Sequence, residues 1–544
     1  MAAPVSLRAA EQLEVSFDGV VIPVEINDLV AWARSGGESN TELGIWLELM
    51  DPVSRKGVLE LLRAPLITDR SMARQMLKSW AGRRLVDEVA DLVQVDDDTV
   101  GLTVLNTLER LLNRQPQVNS FDLLEALPAK RVRLDLDGLV DVAAQWRQQL
   151  QQQQALVRRL DQIPINAGGL ASADAMQPAL VTQPELQLLP VAHRKRPLRL
   201  QLWHPTEAKR SQAAPFDAAP SDAASSDAAP SYAASTRGGR SKRNWVVLMP
   251  GLGGSPDHFR WLGRTLSNKG WPVVVLEHPG SDAAAVEAWL QGKRRPPGAE
   301  VLPDRLKDLD AVLQAKASGV LPVEGERVVL VGHSLGSLTA LLASGLRPRP
   351  GLDWRCKRAL DDLPLSNLSR LLQCQMTEVS LPETQPPAQL AGVVGMNSFG
   401  SLLWPRRRPQ PLPVPALFTG GTLDLITPPL QEQLELLLAT APQPGSAAVL
   451  VEGASHFSPI RVEGQDGDGK GDDLFQLGEE LVGVQPLEVQ ALLAGEIVDF
   501  LERLEADALA SGRLAAASGH LHRQVGNLHL HRIDASAAAA LISD

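Results

Sequence analysis

After Asn244 the chain alternates short, β-branched-rich apolar runs with segments of helical periodicity. The runs are Trp245–Met249, Val273–Leu276, Val328–Val331, Gly392–Met396, Ala416–Thr419 and Ala448–Val451. Each is apolar at consecutive rather than alternate positions, which fits strands covered on both faces. Strands separated by helices pair in parallel through right-handed crossovers. The expected architecture is therefore α/β: a mostly parallel sheet flanked by helices. Sites in such sheets form just beyond the carboxyl ends of the strands, so the loops after these runs are where chemistry is expected.

Gly332-His333-Ser334-Leu335-Gly336 follows the run VVLV directly and precedes the helical SLTALLASGL. A Gly-x-Ser-x-Gly turn between strand and helix is the setting of a nucleophile elbow. The turn is too tight for side chains flanking the serine, and it lifts the hydroxyl above the sheet. Ser334 is the expected nucleophile. A serine needs a base, and the base an orienting acid, in the chain order Ser, Asp, His for this architecture. Asp424 follows the run ALFT and His456 follows AVLVE, each just past the end of its strand. Ser334, Asp424 and His456 are thus the expected catalytic set. The oxyanion of acyl transfer needs two backbone N–H groups. That of Leu335 is one; the other is expected from Leu252, in the loop Pro250-Gly251-Leu252-Gly253-Gly254.

Other candidates compete poorly. Asn397 occupies the alternative acid position but cannot carry a negative charge. Glu452 sits at the end of the last run rather than beyond the preceding one. His333, the variable residue of the elbow, is expected to point away and pack. His520, His522, His529 and His531 form two His-x-His pairs, a spacing that puts two rings on one face of a strand. No carboxylate or cysteine joins them in a recognised ligand pattern, so no metal site is expected. Asp466, Asp468 and Asp472 resemble a calcium loop, but Lys470 stands where an oxygen ligand is needed, and the run reads as an acidic surface loop.

At 544 residues the chain exceeds what one core usually organises. Residues 13–26 alternate apolar and polar positions around Asp18-Gly19, a hairpin signal. From Asn27 to about Gln162 the pattern is helical, giving an α-rich N-terminal domain over 1–165, led by the hairpin and carrying no evident chemistry. A strand pair near Glu185–Leu189 and Leu198–Trp203 opens the second domain, 180–510, and 511–544 forms a C-terminal extension. An insertion at 207–243 contains four tandem pentapeptides, DAAPS-DAASS-DAAPS-YAAST over 217–236, too small and polar to offset their ordering entropy. Deleting 217–236 is expected to leave the melting temperature almost unchanged, because closure entropy depends weakly on loop length. A loss of several degrees in a thermal melt would show that the repeats dock on the fold. A second insertion, 345–390, lies where a cap would sit, and Leu363, Leu365, Leu368, Leu371 and Leu372 in it are candidates for an apolar acyl pocket.

A net charge of −11 argues against a nucleic-acid partner, since phosphate binding needs a positive patch. No apolar run approaches the roughly 20 residues that span a bilayer. Met1 to Ala10 lack the apolar stretch of a signal peptide, although they are Ala-rich like the end of one. A cytoplasmic protein is expected from the chain as given, with export to a periplasm or lumen the alternative. Cys356 and Cys374 are the only cysteines: buried thiols in a reducing compartment, or a pair after export.

The PGLGGS loop, Glu277-His278-Pro279-Gly280, GHSLG and the strand LRLQLWHPT resemble platelet-activating-factor acetylhydrolase-type and dienelactone-hydrolase-type enzymes. The leading hairpin-plus-helices domain resembles a cyanobacterial α/β-hydrolase family bearing an N-terminal domain of unknown function. The resemblance implies an α/β-hydrolase core and a small-molecule or lipid ester substrate, with no cofactor. Pro250 stands where such enzymes usually have His before the oxyanion glycine, and only backbone donates there. The acid lies one strand later than in the animal acetylhydrolases, so their phospholipid specificity does not follow from the resemblance alone, and a phospholipid acyl or acetyl ester is the narrower substrate it suggests. The expected activity is carboxylic ester hydrolysis by an esterase or lipase-type enzyme. A thioesterase or peptidase with the same residues, and a non-catalytic binding scaffold, are the alternatives.

Overall fold

The structure, a computed structural model, describes residues 12–17, 20–36, 65–67, 79–80, 93–95, 102–114, 118–129, 131–166, 183–205, 242–360, 367–442, 444–460, 485–509 and 519–543. The repeats at 217–236, the acidic run at 466–472, and Leu363 and Leu365 lie outside the described residues.

In the N-terminal region β1 (Gln12–Phe17) and β2 (Val20–Glu25) pair antiparallel, Phe17 opposite Val20, as the alternating pattern requires. The hairpin does not stand alone. β3 (Pro65–Ile67), β4 (Val93–Val95), β5 (Val118–Asn119) and β6 (Arg131–Asp135) follow within the stretch read as helical. β6 joins β1 in parallel and β4 joins β6, giving a small sheet ordered β2-β1-β6-β4, while β3 pairs with β5. Two to five residues between helical segments are too few for a period-2 signal to stand out. The helix Leu136–Asp161 starts where Asp135 caps it, its side chain accepting from Gly138 N at 3.1 Å. Its far end turns Leu156 and Leu160 into the core under the large sheet.

That sheet has ten strands among the described residues. β7 (Glu185–Leu189) and β8 (Leu198–Trp203) form an antiparallel hairpin at one edge. Then come β9 (Asn244–Met249), β10 (Val273–Leu276), β11 (Arg327–His333), β12 (Leu390–Met396), β13 (Ala416–Gly421) and β14 (Ala447–Val451), all parallel. β15 (His520–Val525) and β16 (Leu528–Ile533) close the other edge, β16 running antiparallel to β14. The residues read as a C-terminal extension thus complete this sheet. The fold is an α/β-hydrolase fold, and each of the apolar runs is a strand of it.

The order β14-β13-β12-β11-β9-β10 reverses beside β9. The chain goes from β9 outward to β10, then returns to the other side of β9 as β11. The loops after β9 and β11 therefore leave the sheet side by side, at the switch point where α/β sheets bind ligands. Every residue of β9 is buried, and the two faces enter different cores. Trp245, Val247 and Met249 pack on one side; Val246 and Leu248 pack on the other.

Over 345–390, the helices Leu352–Leu360 and Ser369–Gln375 are joined by a disulfide between Cys356 and Cys374, with Cα atoms 5.4 Å apart. Of the two states open to these cysteines, the structure shows the bonded one. The segment is anchored by the buried carboxylate of Glu432. Its Oε1 accepts from Asn367 Nδ2 (2.8 Å), Gln373 Nε2 (2.9 Å) and Ser401 Oγ (2.7 Å), and its Oε2 from the Gly400 and Ser401 N–H groups at 2.8 and 3.0 Å. Ser369 N also donates to Ile426 O at 2.9 Å, tying the segment to the loop that carries Asp424. Leu371 and Leu372 pack on the core, while Leu368 is 41% exposed. No described helix is long and apolar enough to cross a membrane.

Candidate active site

Ser334 follows β11 directly, at φ 52° and ψ −118°, a left-handed conformation that a non-glycine residue adopts only under the constraint of its surroundings. Its N–H donates to Met396 O at 2.9 Å, fixing the turn to the neighbouring strand. The flanking glycines are required by contact. A Cβ on Gly332 would lie 2.2 Å from the Gly336 carbonyl carbon, and one on Gly336 would lie 2.0 Å from Met249 O. Backbone lies too close on both sides of the serine for any side chain.

Leu335 opens the helix Leu335–Ala343, so its N–H has no helical acceptor. In the loop after β9, Gly253 N is committed to Ser281 O at 2.8 Å and Gly254 N to Gly251 O at 3.2 Å. Among the described residues the N–H groups of Leu252 and Leu335 have no hydrogen-bond partner. The loop approaches the serine closely: a Cβ on Gly251 would meet Ser334 Cβ at 3.0 Å.

Asp424 is fully buried just past β13 and accepts from five donors. Ile426 N (2.9 Å) and Thr427 N (2.7 Å) reach Oδ1; Thr427 Oγ1 (2.5 Å), Asn397 Nδ2 (2.8 Å) and His456 Nδ1 (3.0 Å) reach Oδ2. Burial alone would raise its pKa. The positive potential of His456 and the Thr427 hydrogen bonds overcome this and hold the carboxyl well below the carboxylate range. The structure therefore brings Asp424 and His456 into contact. It connects the elbow to the His456 loop through His333, whose Nε2 faces the His456 carbonyl at 3.1 Å and must donate to it. Burial, helped by His456, pushes His333 down to about 3, so its ring is neutral. His333 thus packs against Phe259, with ring centroids 5.8 Å apart, and also holds the His456 loop by a hydrogen bond. Asn397, set aside as an acid, sits at φ 48° and donates to Asp424, with a longer bond to Ser455 O at 3.4 Å.

Residues 246–463 match the family model described as "Alpha/beta hydrolase family", a span that contains Ser334, Asp424, His456 and the loop at 250–254. The chain carries an α/β-hydrolase domain. Residues 9–135 match a second model, described as "Alpha/beta hydrolase of unknown function (DUF1400)". No curated protein matches the chain.

The hydrolase domain also holds a buried polar network that sequence reasoning missed. Arg305, on the helix Leu302–Ala317, donates from Nη2 to Pro250 O (2.5 Å), from Nη1 to Ser281 Oγ (2.7 Å) and from Nε to Thr339 Oγ1 (3.0 Å). It thereby binds the Leu252 loop, its supporting loop and the helix after Ser334 with one rigid group. Burial lowers its pKa to about 9, against the attraction of Asp308, so it stays charged at neutral pH. One turn on, Asp308 accepts from His193 Nε2 (2.7 Å), His278 Nδ1 (3.0 Å) and both ends of the Arg194 fork (2.9 and 2.7 Å). Burial, reinforced by the Arg305 charge, drops His278 to about 4. Arg305 and Asp308 lie three apart on this helix, and nothing in the local sequence marks the pair as buried.

Arg305→Lys keeps the charge but cannot reach three acceptors at once. If Leu252 N–H serves as an oxyanion donor, kcat is expected to fall roughly 10- to 100-fold, with KM changed less. Arg305→Met should in addition lower stability by about 3–5 kcal/mol, as removal of one buried charge from a compensated set does. A Lys variant with wild-type kcat on a p-nitrophenyl ester would show that the Pro250 peptide holds its orientation unaided.

Proposed function

We propose that the chain is a serine hydrolase of carboxylic esters, acting by acyl transfer through Ser334, His456 and Asp424. The observation that carries this reading is the conjunction at one end of the sheet. A strained serine, two unpartnered N–H groups beside it and a carboxylate-bound histidine occupy adjacent loops. Each has a defined use in acyl transfer, and together they have no evident structural one.

In the proposed reaction Ser334 Oγ attacks the carbonyl carbon while His456 Nε2 takes its proton. Asp424 fixes the proton on Nδ1 and stabilises the imidazolium. The N–H groups of Leu252 and Leu335 bind the oxyanion. Collapse expels the alcohol, which takes the proton from His456, and water, activated by the same histidine, releases the acid. Leu368, exposed and with its N–H 3.4 Å from Leu425 O beside Asp424, supports an acyl pocket on this side; an acetyl or phospholipid acyl ester is the narrower reading of the substrate.

A fluorophosphonate probe tests for the activated serine. A panel of p-nitrophenyl esters, acyl-CoAs and peptides then separates esterase from thioesterase and peptidase. Absence of labelling in folded protein would overturn the proposal and favour a binding scaffold on a hydrolase frame. Turnover of thioesters or peptides with no ester hydrolysis would keep the residues and change the substrate.

A further inference from the structure

The sequence offers two His-x-His pairs with no carboxylate to accompany them. The fold supplies one. His522 and His531 are opposite each other in the β15–β16 hairpin, with rings stacked at 4.2 Å between centroids. β16 pairs with β14, so Glu452, 79 residues before His531, reaches His531 Nε2 with its Oε1 at 2.6 Å. One ligand-competent atom from each of Glu452, His522 and His531 lies within 4.8 Å of the others. His522 and His531 are buried, and Glu452 retains 19% side-chain exposure at the rim, which leaves a route in.

The outer partners decide which nitrogens are free. His522 Nδ1 lies 2.6 Å from Ile163 O, which can only accept, so Nδ1 carries the proton and Nε2 the lone pair. That lone pair faces His529 Nδ1 at 2.8 Å. His531 Nδ1 has His520 Nε2 at 3.0 Å, a group able to accept a proton bond once Nε2 of His531 turns to a cation. Each imidazole of the set thus has, on its far nitrogen, a hydrogen-bond partner of the kind that orients metal-bound histidines.

We propose that Glu452, His522 and His531 form a binding site for a divalent transition metal such as zinc, with His529 or a water completing the shell. Two imidazoles and a carboxylate are a donor set that suits zinc, and it differs from the all-oxygen sets of calcium and magnesium. The ion would take the place of the proton between His531 and Glu452 and bridge β14 to β16. Glu452 N also donates to His529 O at 3.0 Å, and Glu452 is four residues before His456. The metal would therefore brace the start of the loop that carries the proposed base, without touching the substrate.

The test uses tag-free, metal-stripped full-length protein, titrated with Zn²⁺ by calorimetry and with Co²⁺ by visible absorption. One equivalent should bind with micromolar or tighter affinity, Co²⁺ should show intense four-coordinate bands, and Zn²⁺ should raise the melting temperature. Glu452→Gln should weaken binding at least tenfold, and His531→Gln should abolish it. His204→Ala, an exposed histidine elsewhere, should change nothing. If the His531 variant fails to fold, Glu452→Gln with the cobalt spectrum still decides the matter. No binding by folded wild type, or binding that survives both variants, would leave the cluster as a closed hydrogen-bonded chain of imidazoles and overturn the proposal.

Discussion

Replacing Ser334 by alanine should abolish fluorophosphonate labelling and lower kcat on any accepted ester by on the order of 10⁶-fold, the loss seen when a serine nucleophile is removed. The fold should survive, because the strain at φ 52° belongs to the turn rather than to the hydroxyl. Alanine tolerates that backbone no worse than serine does, so the melting temperature should stay within a few degrees. The residual rate should reflect the Leu252 and Leu335 N–H groups and substrate binding alone. Persistent turnover with labelling moved to another serine would displace Ser334 from the reaction.

Asp424→Asn should lower kcat by on the order of 10⁴-fold, for a reason visible in the hydrogen bonds. Oδ1 is held by the backbone N–H groups of Ile426 and Thr427, so the amide oxygen of an asparagine would stay there. Its NH₂ would then take the Oδ2 position, facing Asn397 Nδ2 and His456 Nδ1. A donor in that place requires a lone pair on Nδ1, which moves the proton to Nε2 and removes the base from Ser334. Stability should change with pH as well. The carboxyl is held below its ordinary 3.8, so its charge stabilises the native state above that pH, and the contribution is lost as pH falls toward the lowered value. Wild type should therefore lose stability more steeply than Asp424→Asn below about pH 4. Near wild-type kcat in Asp424→Asn, with large losses in Asn397→Ala or Glu452→Gln, would assign the acid elsewhere.

The hydrolase sheet was legible because its strands are buried on both faces and so are apolar at every position. The strand bounds of Val273–Leu276 can be read directly from VVVL. The elbow was legible for a different reason: Gly332 and Gly336 are demanded by backbone contacts within a few residues of each other. What sequence could not show are pairings between distant residues. Arg305 reaches Pro250 and His193 reaches Asp308 across loops of unconstrained length. Glu452 and His531 meet only because β16 turns back against β14. The small N-terminal sheet was hidden by strands as short as Val93–Val95, whose pairing with β6 is fixed by tertiary contacts rather than local pattern.

The edge of the large sheet sets an order of events in synthesis. β14 delivers the His456 loop, yet its outer neighbour β16 emerges some eighty residues later by sequence position. Until residues 519–533 are available, β14 presents a bare row of N–H and C=O groups beside an apolar strand, a surface that invites pairing with other chains. The antiparallel β15–β16 hairpin forms locally and can dock as a unit. Residues 163–166, made long before, then meet it: Asn166 N donates to His522 O and His522 N to Asn166 Oδ1. The outermost strand of this edge, β15, is thus sealed by a segment made long before it. A ribosome-bound chain stopped before β15 should consequently be the species most in need of a chaperone.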